Sequence, residues 1–369
     1  LFFAGEREHP LEALIMVRMR WFRFGSKELG VFCVALGLCA TGCSEGDEAV
    51  VACAAGASAT AGQTRRYFVA AEPVDWNYAP LGTDPVTGKP LPEPWGTTLV
   101  YPKLRYVQYT DDSFTTKIES PTWAGILGPM LRASVGDTLS VVFLNRGHHP
   151  LSMHPHGVRY TPENEGAVYE PNGEARGIAA PGERITYTWI ADEGSGPKCD
   201  GPSSKVWLYH SHVDADHEIY AGLMGTIVIT DPKRANPDGS PSDVDKEFAT
   251  LFMVFNENTE STPEAEQEGN LKHAINGLFF GNLGGLEMFR GERVRWYALA
   301  LGTEVDLHTA HWHGETVANE SGEYTDVVEL LPASMRAVDM MTDNPGTWLL
   351  HCHVADHMMG GMYTTYTIR

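Results

Sequence analysis

Four His-x-His pairs stand out in the chain: His154/His156, His210/His212, His311/His313 and His351/His353. With 15 histidines among 369 residues, random placement gives roughly one such pair or fewer. Residues two apart on a strand point to the same face, so each pair offers two imidazoles to one side. Imidazole suits copper, zinc, iron and nickel, and the pairs alone do not name the metal. The fourth pair narrows the choice. In Trp348-Leu349-Leu350-His351-Cys352-His353, Cys352 faces away from its two neighbours, so one strand can serve different metals on its two sides. His357 and Met362 follow Cys352, with Gly360 and Gly361 allowing a tight loop between them, and His308 lies just ahead of His311. Two imidazoles, one thiolate and one weak thioether describe a blue-copper electron-transfer site.

The elements that position these residues repeat. In the first half Gly125-Ile126-Leu127-Gly128-Pro129 and Val135-Gly136-Asp137 precede a strand and then His154-Pro155-His156-Gly157. In the second, Gly281-Asn282-Leu283-Gly284-Gly285 and Arg290-Gly291-Glu292 precede a strand and then His311-Trp312-His313-Gly314. Each half next has a Pro-bearing turn, Ala180-Pro181-Gly182 or Leu331-Pro332-Ala333, and a second pair, His210-Ser211-His212 or His351-Cys352-His353. Short runs of Val, Thr and Tyr broken by Pro/Gly turns, with no amphipathic helix of four turns after residue 65, favour an all-β protein. Two β-sandwich domains of shared ancestry follow, 66–232 and 248–369, joined by a polar linker, 233–247.

A formal charge of −21 argues against nucleic acid or anionic membrane surfaces as partners, since both select basic patches. Met16 and Met19 are candidate starts. Arg18, Arg20, Arg23 and Lys27 then form a basic stretch before the apolar run Val31 to Ala40, the layout of an export signal over residues 1–43. Ala40-Thr41-Gly42-Cys43 is similar to a bacterial lipobox, in which Cys43 would carry the lipid; a plain secretory signal is the alternative. Residues 44–65, rich in Ala, Ser, Gly and Thr, read as a flexible tether. Exported proteins hold disulfides, and Cys53 and Cys199 could pair.

The segment His351-Cys352-His353-Val354-Ala355-Asp356-His357, ending Gly360-Gly361-Met362, resembles the closing motif of multicopper oxidases. Its wording is closest to the ceruloplasmin and hephaestin branch, as is the stretch from Glu304 to Gly314. Ile126 to Tyr160 and Tyr209 to Asp214 are similar to the same branch, whereas the architecture resembles the small two-domain laccases. The resemblance implies two tandem cupredoxin-like Greek-key β-sandwich domains and four coppers per chain equivalent. It implies type 1 ligands His308, Cys352, His357 and Met362. It implies type 2 ligands His154 and His311, and type 3 ligands His156, His210, His212, His313, His351 and His353. Leu151 stands where His308 stands in the second half, and Ser211 where Cys352 stands, so the first half should hold no type 1 copper.

The same resemblance implies one-electron oxidation of a substrate at type 1 copper and reduction of dioxygen to water at a trinuclear cluster, with Cys352, His351 and His353 as the link. It also implies a homotrimer in which clusters form between subunits. Asp356 matches an acidic position that binds iron in ceruloplasmin-like ferroxidases. Glu257 and Glu260 lie in a loop that could supply further iron-binding acids, although a solvated surface loop is the larger expectation for both. Ferrous ion and a phenolic or other organic reductant are thus both open as electron donors. His148, His149 and His217 read as surface or supporting residues and His273 as structural; Met340, Met341, Met358 and Met359 read as packing. A two-domain copper nitrite reductase would need a blue site in the first half, against Leu151 and Ser211. A copper carrier or electron-transfer protein would leave three His-x-His pairs without purpose.

Overall fold

Leu139, Val141 and Phe143 alternate with Thr138, Ser140 and Val142 along one stretch, and the structure buries the first set while the second stays half-buried. That two-residue period makes a strand with one face on a core. The computed structural model describes residues 62–169, 174–303 and 306–369, all within one compact unit, Ala52–Arg369. The expected leader with Cys43, most of the tether, and Cys53 lie outside the described residues, as do Glu304 and Val305. Cys199 is disulfide-bonded.

The first half contains β1 (Thr64–Asn77), β2 (Thr83–Asp84), β3 (Lys89–Pro90), β4 (Val100–Tyr109), β5 (Leu131–Ser134), β6 (Thr138–Asn145), β7 (His154–Pro155), β8 (Ala167–Tyr169), β9 (Glu174–Arg176), β10 (Arg184–Ile190), β11 (Ser204–His210) and β12 (Met224–Thr230). The second contains β13 (Lys246–Asn256), β14 (Leu271–Ile275), β15 (Glu287–Met288), β16 (Arg293–Ala300), β17 (His308–Trp312), β18 (Val317–Ala318), β19 (Tyr324–Thr325), β20 (Val327–Leu330), β21 (Met335–Met341), β22 (Gly346–Cys352) and β23 (Tyr363–Ile368). Three short helices matter here: α1 (Ala215–Ala221), α2 (Glu264–Gln267) and α3 (Ala355–Met359).

Strand order shows the repeat directly. The sheet β10-β6-β1-β4 corresponds to β21-β16-β13-β14, and β5-β12-β11-β7 to β15-β23-β22-β17. In both halves the pairing is parallel at the same places, β1 with β6 and β13 with β16, β5 with β12 and β15 with β23. Parallel neighbours need a crossover, so each half is a sandwich of Greek-key type rather than a meander. The chain is all-β, built as two tandem cupredoxin-like sandwiches. Each has its own core, around Phe143, Tyr187 and Trp189 in the first and around Trp296, Trp312 and Tyr366 in the second.

A third core lies between the halves. β12 is buried on both faces: Ile227 and Ile229 enter the first sandwich, while Met224 and Val228, with Val206 and Leu208, pack against Leu251, Met253, Phe255 and Leu299 of the second. Each large apolar side chain buried this way contributes about 1.5–3 kcal/mol. Beside this seam the fully buried guanidinium of Arg295 donates to both carboxylate oxygens of Asp339 at 2.7 and 2.8 Å and to the hydroxyls of Ser203 and Ser204 at 2.6 and 2.8 Å.

Candidate metal centre

β22 runs to Cys352 and pairs with β17 so that Ala310 opposes Cys352 and His311 opposes His351. Alternation along the strand therefore places His351 and Cys352 on opposite faces. On one face Cys352, His308 and His357 converge, all buried. The Sγ lies 3.7 Å from Nδ1 of His308 and 3.7 Å from Nδ1 of His357, and the two Nδ1 atoms are 3.0 Å apart. Metal–sulfur and metal–nitrogen bonds of about 2.3 and 2.0 Å in a trigonal plane give sulfur–nitrogen edges of about 3.7 Å. The donor set and its sulfur–nitrogen edges thus fit a single metal ion. Met362 is fully buried in the same core. The loop carrying it is tied down because the Met362 carbonyl accepts the Cys352 N–H at 3.0 Å and the Met362 N–H donates to the His357 carbonyl at 3.0 Å. Thiolate, two imidazoles and thioether are the donor set that selects copper. Burial raises the Cys352 thiol above its ordinary value, so a bound cation would have to displace its proton.

On the other face the pairs gather into two quartets. In the first half the rings of His154, His156, His210 and His212 lie with centroids 5.0–5.6 Å apart, with His154 opposite His210 across β7 and β11. In the second, His311, His313, His351 and His353 lie 4.7–5.5 Å apart. Each quartet brings two Nε2 atoms face to face, His156 with His210 at 3.0 Å and His313 with His351 at 3.1 Å. The Nδ1 atoms of His154, His210 and His351 are engaged by the carbonyls of Glu165, Ser211 and Cys352, each at 2.8 Å. A carbonyl only accepts, so those Nδ1 atoms carry hydrogen and Nε2 is bare, the tautomer a metal requires. Burial lowers His156 to about 4 and His210 to about 3, and it lowers His154, His311 and His351 in the same direction. These five rings therefore carry a single proton each near pH 7, with no second proton to compete with a metal. His311 departs from the pattern: its buried Nδ1 has no hydrogen-bond partner, and its Nε2 lies 3.5 Å from Asp326.

The glycine ending each first pair has a steric reason. Gly157 and Gly314 sit at φ +69° and +76°, and a Cβ on either would strike the ring of Trp207 or Trp348 at 2.0 or 2.5 Å. Beside the second quartet a cavity of about 470 Å³ opens, lined by His311, His313, Glu315, Asp326 and Asp343. Among the described residues no ring contact joins one quartet to the other.

In the first half, Leu151 and Ser211 are fully buried where the second half has His308 and Cys352. His217 points into solvent and contacts Asp214 at 3.0 Å. Asp356, next to His357, is exposed in the first turn of α3, and Glu260 is exposed in its loop. Glu257 is not the solvated loop acid expected. It is largely buried, ion-paired with the buried Lys103, and it accepts from the Tyr78 hydroxyl at 2.5 Å. Its carboxylate is thus engaged by a buried ammonium and a phenol rather than by solvent.

His273, read as structural, lies beside the blue site. It is buried, its ring lies 5.2 Å from that of His357, and its Nδ1 has no hydrogen-bond partner. Burial first, then His357, lowers it to about 4. A consecutive Lys272-His273, both buried in a strand, is the polar signal by which sequence could have flagged it. Asp306, fully buried against His308, was likewise missed; its signal is the Asp-x-His spacing.

Two family models, each described as multicopper oxidase, match residues 107–234 and 249–369. Human hephaestin is 36% identical over 348 residues, covering 84% of this chain and 30% of hephaestin. Human ceruloplasmin is 36% identical over 343 residues, covering 82% of this chain and 30% of ceruloplasmin. Ferroxidase HEPHL1 of Mus musculus is 34% identical over 339 residues, covering 83% and 29%. The chain thus spans about a third of the length of these relatives. Among solved structures, a multicopper oxidase superposes with TM-score 0.58 at 20% identity, covering 83% of this chain and 89% of that one. The copper nitrite reductase of Nitrosomonas europaea superposes with TM-score 0.59 at 19% identity, covering 83% and 94%; at such identity these show the fold alone. Sequence, repeat and donor geometry agree, and the chain belongs to the multicopper oxidase family.

Proposed function

We propose that the protein is a copper-dependent oxidase that takes single electrons from a reductant and passes them to dioxygen, with water as product. One observation carries this reading: β22 gives Cys352 to the blue site and the adjacent His351 to a histidine quartet. Two centres joined by consecutive residues have a bonded path between them. Copper, when bound, supplies the one-electron redox chemistry and the oxygen reduction; the protein sets geometry, potential and water access.

In this reading His308, Cys352, His357 and Met362 hold type 1 copper. His154 and His311 hold type 2 copper, and His156, His210, His212, His313, His351 and His353 hold the type 3 pair. The quartets do not touch within one chain, which supports a homotrimer in which the first half of one subunit faces the second half of the next, a heterologous contact that closes into a ring. The favoured donor is ferrous ion. Asp356 provides an exposed carboxylate on α3, and His273 provides a buried, unpartnered imidazole nitrogen against His357. Hard carboxylate and borderline imidazole together suit an iron ion, and the ferroxidase named among the relatives supports the same choice.

Oxygen uptake by the copper-loaded protein, measured separately with ferrous ion and with a phenol while copper is counted, tests this. Ferrous-driven uptake with four coppers per chain is expected. Four coppers without uptake from any donor would defeat the oxidase reading, and one or two coppers with nitrite turnover would favour a nitrite reductase.

A further inference from the structure

An imidazole can offer a metal either nitrogen, and the hydrogen bond made at one decides which is bare at the other. For His308 the structure places Asp306 at that point. Its Oδ1 lies 3.2 Å from His308 Nε2, and neither side chain is reached by water. The same carboxylate is fixed from two further directions: Oδ1 accepts the Val254 N–H of β13 at 2.7 Å and Oδ2 the Thr303 N–H at 2.8 Å. Gly302, at φ +118°, leaves the necessary room, since a Cβ there would stand 2.1 Å from Oδ2. Among the described residues the ion pair Asp306 makes is with His308, not with lysine or arginine. A carboxylate only accepts, so Nε2 of His308 carries the hydrogen. Nδ1 is then bare and faces Cys352 and His357. In the metal-free protein the hydrogen between the two Nδ1 atoms belongs to His357.

Anchoring the loop does not by itself require a charge. In the first half the neutral Asn145 anchors the segment leading to Leu151, donating to the carbonyls of His149 and Ala179 at 2.8 Å and accepting the Gly147 N–H at 2.7 Å. That half lacks a histidine at the ligand position and holds its loop with an amide. The half with the ligand uses a carboxylate and turns it onto the ring.

We infer that Asp306 is the positioning residue of the blue site: it holds His308 with Nδ1 toward the Cys352 sulfur, and its buried negative charge favours the oxidised over the reduced state of the metal there. The inference rests on the copper reading above. It is tested on the full chain by Asp306→Asn, which keeps the shape and removes the charge. Copper(II) affinity at the blue site, measured by chelator competition, should fall about 10–100-fold, with copper(I) affinity changing little. Each tenfold difference raises the reduction potential by about 59 mV. An unchanged potential in a variant with the original melting temperature would overturn the proposal. Should the variant fail to fold, ¹⁵N NMR of the metal-free original chain decides instead: hydrogen on His308 Nε2 supports the inference and hydrogen on Nδ1 overturns it. If the original chain forms no blue absorption with copper, the copper reading fails, while the NMR result still judges Asp306.

Discussion

The hydroxyl of Ser211 accepts the backbone N–H of Ser152 at 3.1 Å, at the place in the first half that Cys352 holds in the second. The Ser152 hydroxyl in turn accepts the His212 N–H at 3.0 Å. The space is closed by backbone hydrogen bonds, with Leu151 packed where an imidazole would be needed. Ser211→Cys should therefore not create a second blue site. Visible absorption per chain should stay at the original value after copper loading, and a doubled band would show that the first half retains ligands.

Cys352→Ser removes the sulfur that gives a blue site its colour and leaves both quartets intact. Loss of the blue absorption, with the copper of the quartets still bound, is expected. Absorption and elemental copper on the same sample check it.

The metal-free protein should lose stability on mild acidification. His156 and His210 titrate near 4 and 3 in the folded chain because burial disfavours the charged ring, against about 6.5 when unfolded. Between those values the unfolded chain binds the extra protons, so the stabilising contribution is present above about pH 6.5 and is lost as pH falls through the folded values. Urea midpoints of the copper-free protein should fall from pH 7 to pH 4. A flat profile would contradict the burial of the quartets.

The salt bridge beside the seam should respond unequally to its two members. Asp339→Ala leaves Arg295 charged and fully buried, and removing one partner of such a pair costs about 3–5 kcal/mol. Arg295→Ala should cost less, because Arg293 still donates to Asp339 at 2.6 Å. Denaturant midpoints of the two variants give the ranking.

Glu257 and Asp356 should separate stability from turnover. Glu257→Gln strands the buried Lys103 and should lower the melting temperature with little change in the KM for ferrous ion. Asp356→Asn, at an exposed position, should raise that KM several-fold, on the order of 1 kcal/mol of lost charge attraction, with the melting temperature unchanged. The reverse pattern would reassign the iron contact.

Much of the metal chemistry was legible in the sequence because it is written in short spacings. His-x-His on a strand presents one face and a cysteine between two histidines the other, so each pair and the opposed Cys352 follow from alternation, whereas the quartets arise because β7 pairs with β11 and β17 with β22. The repeat was legible for the same reason. Glu257 and His273 were not, because their meaning depends on residues far away in the chain: Lys103 approaches Glu257 from β4, and His357 approaches His273 from α3. The seam escaped notice too. The run Met224-Gly225-Thr226-Ile227-Val228-Ile229-Thr230 looks like any strand with one buried face, and only the packing of β13 and β16 shows why both of its faces are covered.

That double coverage reaches into how the chain is made. When β12 emerges during synthesis, the part of its outward row of Met224 and Val228 that the second sandwich covers stays incomplete until β16 joins β13 at Ala300, roughly 70 residues later. At about 5–20 residues per second the first sandwich waits several seconds with that apolar face only partly covered. The newborn protein is most prone to aggregate in that interval.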